Sequence, residues 1–319
     1  MININACVSK YRTAIMGFAA IMVMLFHQYT VQENVVLDVF SHIGHWGVDI
    51  FLFVSGFGIA HSLSKHSKSV FYQNRMKKML PICLIIGLFG LTLDVLHNEV
   101  DWVNLIPKLL CLNNWYIYTI SIYYLFSPLI LRAMRWKAWV LPTVVLSLSL
   151  LFSLMSLFHP LSESDHFMLN KLPWAWDRLF VYLLGIYCYL KKPHNTTVLY
   201  VIGALLFVLV FLAQYQILPL HHCRSQVLAF SIPFVCYSIS LLCMSSGVIE
   251  ITLAFFGKHS LSIFLLHLII YSILESRMSL IPNNVLRLLV EIVSVIILAS
   301  VIDWVINKFL AIFVVKHEK

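Results

Sequence analysis

The sequence predicts an all-α fold, a polytopic membrane protein built as a bundle of about ten transmembrane helices. Three observations predict it. Of 319 residues, 61% are hydrophobic and only 11% charged, against roughly a quarter charged in soluble domains. The apolar residues fall in near-continuous runs of helix length, without the period-2 alternation of an outer-membrane barrel. The cations concentrate in alternate connections between those runs.

Taken in order, the spans lie near 12–30, 43–64, 79–97, 114–133, 138–158, 175–190, 197–217, 226–245, 251–274 and 285–313. Each is close to the roughly 20 residues a helix needs to cross a bilayer. The first is too long for a signal-peptide core, and no small-residue cleavage pattern follows it. The connection after the second span carries Lys65, Lys68, Arg75, Lys77 and Lys78. The link after the fourth carries Arg132, Arg135 and Lys137, and that after the sixth Lys191 and Lys192. The opposite connections hold Glu33, Asp38, Glu99, Asp101, Glu163 and Asp165. By the positive-inside rule both termini are expected in the cytoplasm; the segment 275–287, with Arg277 and Arg287, is the one mild exception. A single transmembrane domain over 1–319 is expected, with no soluble domain, repeat or low-complexity tract. The seven cysteines are scattered without a CxxC pair, so neither a disulfide framework nor a zinc site is indicated. Membrane lipids are expected around the chain, and nucleic acid is not an expected partner.

The polar residues inside apolar runs carry the functional signal, because an ionisable group in hydrocarbon costs at least a few kcal/mol unless it is paired or hydrated. His27 ends the first run, RTAIMGFAAIMVMLFHQY, and Asp49 sits in the second, GHWGVDIFLFVSGFGIAH. Fifteen residues separate Arg12 from His27, about 22 Å of helix. With the N-terminus inside, that places Arg12 near the cytoplasmic face and His27 in the outer half. The descending second span brings Asp49 to a similar depth, where a carboxylate beside an imidazole fixes its tautomer and raises its basicity. A structural histidine at the interface and an aspartate bonded to a neighbouring helix fit the same positions. In FYQNRMKKMLP, Arg75 and Lys78 share a helical face; such cations set topology, bind anionic lipid, or hold an anionic cofactor such as coenzyme A. Trp115, Tyr124 and Pro128 mark the fourth span, Arg178 opens the sixth in RLFVYLLGIYCY, and GKHSLSIFLLH in the ninth carries His259, Ser260 and His267.

Six segments, in this order and spacing, resemble the acyltransferase-3 family of bacterial integral-membrane O-acyltransferases: GFAAIMVMLFH, GVDIFLFVSGF, FYQNRMKKMLP, WYIYTISIYYLFSP, RLFVYLLG and SLSIFLLH. The resemblance covers essentially the whole chain. It implies transfer of an acetyl or other short acyl group from cytoplasmic acetyl-CoA to a hydroxyl of a cell-envelope glycan or lipid-linked sugar at the bacterial inner membrane. The family's first-helix histidine falls on His27, and its aspartate and Ser-Gly pair fall on Asp49, Ser55 and Gly56. Its basic pair falls on Arg75 and Lys78, with lysine replacing the second arginine. The fourth-helix tryptophan, tyrosine and proline fall on Trp115, Tyr124 and Pro128, the arginine before the sixth helix on Arg178, and the late serine and histidine on Ser260 and His267.

Under this resemblance His27 is the general base on the acceptor hydroxyl, or carries the acyl group itself, and Asp49 orients it. Arg12, Arg75, Lys78 and Ser55 are expected at the donor, and Trp115, Tyr124, Arg178 and His267 at the substrate; no metal is expected. The family places an arginine or lysine eleven residues before the histidine, where this chain has Met16. Arg12, one turn earlier on nearly the same face, is the expected substitute. Two other readings stay open: a transporter whose His27, Asp49 and Arg178 line a proton-relaying path, and a catalytically degraded relative serving an envelope-polymer assembly. Homo-oligomerisation and envelope-biosynthesis partners are left open.

Overall fold

The computed structural model describes residues 4–27, 43–158, 172–191, 196–214, 224–275 and 284–317. Among them are thirteen α-helices and no strand. The order is α1 (Ile4–Lys10), α2 (Arg12–Phe26), α3 (Trp46–Lys65), α4 (Lys68–His97), α5 (Leu105–Leu109), α6 (Trp115–Trp136) and α7 (Val140–Phe158). It continues with α8 (Leu172–Lys191), α9 (Thr196–Gln214), α10 (Arg224–Ser245), α11 (Gly247–Lys258), α12 (Ser260–Glu275) and α13 (Asn284–His317).

Each expected span lies on one of these helices or, for the ninth, on the pair α11–α12. By length and composition five described helices can cross a membrane, or six when the bent pair counts as one span, and Arg12–Phe26 and Val140–Leu151 are shorter apolar helices. The chain is a multi-pass, all-α membrane protein. Glu33, Asp38, Glu163, Asp165, Lys192 and Arg277, on which part of the expected charge alternation rests, lie outside the described residues.

Two elements depart from the expected boundaries, each for a local reason. The third span does not begin at residue 79. Ser67, in extended conformation, accepts a hydrogen bond from the Val70 N–H and starts α4 eleven residues earlier, because an N-cap hydroxyl satisfies an otherwise orphaned donor. Arg75 and Lys78 therefore stand on this helix, as their expected shared helical face requires. The far end of α4 stops at Asn98, which adopts the left-handed conformation (φ 60°) that asparagine tolerates at a helix terminus. The ninth span is not one helix: α11 and α12 meet at His259 with a 68° bend.

The core is built around α3, which is apolar on every side and buries fifteen of its twenty residues, as expected for a helix surrounded by others. It packs most extensively on α8 and also on α2, while α11 packs along α2. Gly56 of α3 lies against the Tyr182 carbonyl and Gly185 of α8 against the Phe53 carbonyl. A Cβ at either position would overlap backbone, so small residues permit this close crossing. At one end of the bundle, His66 and Lys68 face Arg132 and Arg135 of α6 across a pocket, which puts residues of two of the expected basic connections side by side.

Candidate active site

Three polar groupings occur among the described residues. Furthest from the basic end, His27 caps the C-terminus of α2. Its Nδ1 lies 3.0 Å from the Val23 carbonyl and 3.1 Å from Nε2 of His267 on α12. Nδ1 of His267 lies 3.3 Å from the Ile263 carbonyl. Two carbonyls accept only, so the network assigns protons consistently. His267 donates from Nδ1 to Ile263, the one His27 Nδ1–H is shared between the Val23 carbonyl and Nε2 of His267, and the basic nitrogen of His27 is Nε2. His267 is fully buried, so its orientation is held by packing as well as by these bonds.

The second grouping is an ion pair. Arg178 of α8 donates to Oδ1 of Asp49 on α3 at 2.6 Å, and its guanidinium lies 5.0 Å from the Trp115 ring centroid. This differs from the expected pairing: Asp49 bonds to Arg178, and among the described side chains it is His267 that lies within hydrogen-bond distance of His27. Sequence depth put His27 and Asp49 at one level, but rotation of α3 turns the carboxylate toward α8. Asp49 Oδ2 is buried without a hydrogen-bond partner.

The third grouping lines an open-mouthed cavity of about 730 Å³, mouth included, toward the basic end. Its walls carry Arg12, Arg75, Lys78 and Lys258, with Ser55, Tyr124, Ser260 and Ser262 between them and Asp303 as the one carboxylate among the described lining residues. The Arg12 guanidinium lies against Gly58 of α3, where a Cβ would come within 2.8 Å of it. Arg75 stacks near Tyr124 and Phe71, at 5.2 and 5.5 Å from the ring centroids. The Nε–H groups of Arg12 and Arg75 are buried and unpartnered. An unmatched buried donor costs about 1–3 kcal/mol, so both are primed for an acceptor oxygen. Met16 lines the same cavity, which puts the family's usual cation position and its expected substitute at one site.

An aromatic layer separates this cavity from the histidine pair. Phe51, Tyr116 and Phe264 border the cavity, and the Phe264 ring stands 5.8 Å from that of His267. The structure thus brings Arg12, Arg75, Lys78 and Ser55 together, and His27 with His267. It places Tyr124 beside the cations, away from His27, and binds Trp115 and Arg178 into the Asp49 pair.

Three residues at the cavity were given no role from sequence: Lys258, Ser262 and Asp303. Their signal was present, since Asp303 is an acidic residue deep in an apolar run and Lys258 interrupts another. Among the described residues no three His, Cys, Asp or Glu side chains converge as a metal site would require.

The described fold is an all-α membrane bundle with a cation-lined cavity toward one end and a paired histidine toward the other. The acyltransferase-3 profile, described as an acyltransferase domain, matches residues 14–304, and the chain belongs to that family. No curated protein and no solved structure matches the chain.

Proposed function

We propose that this membrane acyltransferase moves an acetyl or other short acyl group from a coenzyme A thioester to a hydroxyl of a cell-envelope glycan or lipid-linked sugar. The observation that carries this reading is the separation of the two polar ends of the site. Arg12 and His27 are about 22 Å apart along one helix. A donor serving both must carry its phosphates at one end of a long arm and its acyl group at the other, as an acyl-coenzyme A does. A compact donor such as an acyl phosphate would not span that distance. The unpartnered Nε–H groups of Arg12 and Arg75 supply the phosphate acceptors' complement.

In the reaction, His27 Nε2 takes the proton of the acceptor hydroxyl as its oxygen attacks the thioester carbonyl. The carbon–sulfur bond breaks, the acyl group stays on the acceptor oxygen, and the thiolate leaves with the proton returned from His27. His267 keeps Nδ1 of His27 protonated and so keeps Nε2 basic. The basic end faces the cytoplasm of an inner membrane, where acyl-coenzyme A is available, and the histidine pair lies toward the opposite face. Mass spectrometry of envelope glycans in strains with the gene, without it, and with His27→Ala tests this reading. O-acylation should be present in the first strain alone. Equal acylation in all three would defeat it and favour a transport role.

A further inference from the structure

We propose that Asp303 is a donor-specificity residue: its carboxylate accepts a hydrogen bond from an N–H group in the donor's arm and makes the cation-lined cavity discriminate between an arm-bearing nucleotide and bare polyphosphate. This rests on the donor reading above and goes beyond it by naming a residue and what it recognises.

Asp303 stands on α13, and one of its oxygens accepts from His259 Nδ1–H at 2.6 Å while the other accepts from the Ser262 hydroxyl at 2.5 Å. Both donors flank the bend between α11 and α12, so the carboxylate is held from two sides of a helix break. A group held this way cannot swing out to neutralise Arg12, Arg75, Lys78 or Lys258. No ion pair links it to any of the four. Each carboxylate oxygen has accepted one bond and retains a lone pair.

A lone fixed anion in a wall of cations is unfavourable for phosphate at its own position and favourable for a hydrogen-bond donor there. Four cations without it would hold any polyphosphate of suitable size, with little preference for what is attached. With it, the ligand must present phosphate to Arg12 and Arg75 and an N–H to Asp303. The pantetheine arm of coenzyme A carries amide N–H groups beyond its phosphates and meets both conditions.

The test uses full-length protein in lipid nanodiscs and two probes, coenzyme A and its nucleotide fragment 3′-phosphoadenosine 5′-diphosphate, which keeps the phosphates and lacks the arm. Wild-type protein should prefer coenzyme A. Asp303→Asn keeps the shape and removes the charge. It should bind the nucleotide fragment more tightly and reduce the preference for coenzyme A by about tenfold or more, the size of one hydrogen bond to a charged group. Ser262→Ala keeps the charge but loosens its hold, and should reduce the preference in the same direction by about threefold. It provides the answer if Asp303→Asn fails to fold. An unchanged preference in the folded variants overturns the proposal and leaves Asp303 as a clamp on the helix bend, with the donor reading intact. Absence of coenzyme A binding in the wild type overturns both together.

Discussion

At the scale of single residues, the proposed reaction turns on two imidazoles and one guanidinium. General-base removal typically costs about a hundred- to ten-thousand-fold in rate. His27→Ala should therefore abolish acyl transfer with near-normal membrane insertion, measured as glycan O-acylation normalised to inserted protein. His267→Phe should slow transfer by less than His27→Ala, because in the proposed reaction His267 only supports the tautomer that the Val23 carbonyl also favours. A defect equal to that of His27→Ala would instead make His267 a partner in the reaction. Arg12 is the other decisive residue. Its guanidinium and Met16 share one cavity wall, so Arg12→Ala should impair donor use, and adding Met16→Arg should restore part of it. Full activity in Arg12→Ala would remove Arg12 from the donor site, and Lys78 would be the next cation to test.

At the scale of elements, the buried ion pair Asp49–Arg178 joins α3 to α8. Breaking such a pair by removing one partner costs about 3–5 kcal/mol, because the other charge stays buried, whereas removing both is far milder. Asp49→Ala and Arg178→Ala should each lower the thermal stability of purified protein, and the double variant should be more stable than either. Additive losses would show that the two residues act separately. The start of α4 at Ser67 has a consequence of the same kind. Arg75 is carried on a rigid helix and stacked near Tyr124. Arg75→Ala should then raise the acyl-donor concentration needed for half-maximal rate by at least tenfold, with little effect on acceptor preference. Altered orientation with unchanged donor dependence in the correctly inserted protein would return Arg75 to a topological role.

At the scale of the whole molecule, the polar groupings of the proposed site are strung along one set of helices. Arg12 and His27 sit at opposite ends of α2, Ser55 and Asp49 on α3, and Ser260, Ser262 and His267 on α12. No polar group of the site belongs to a connection outside these helices and their immediate caps among the described residues. A bundle that positions chemistry on helices fixes it more closely than loops would. The aromatic layer of Phe51, Tyr116 and Phe264 lies between the two ends, so in the proposed reaction the acyl arm passes it. Phe264→Trp should slow transfer without weakening donor binding, read as a lower maximal rate at unchanged half-saturation. Weaker donor binding instead would place the arm elsewhere.

By itself the amino-acid sequence determined the class of this protein: long apolar runs of this length read as membrane-spanning helices, and a histidine or an aspartate inside them needs a polar partner. It determined depth as well, because rise along a helix is uniform, so His27 and Arg12 were correctly placed at opposite ends of α2 and Arg75 beside Lys78. Rotation was beyond it. A span that is apolar all round, as α3 is, has no amphipathic stripe to show which way a polar side chain faces. Asp49 could therefore be placed level with His27 but not turned toward Arg178. The bend at His259 and the partnership of His259, Ser262 and Asp303 were equally hidden, since they join residues more than forty positions apart. Only tertiary packing brings such side chains within bonding distance, and only there does a buried charge acquire the partner that makes it tolerable.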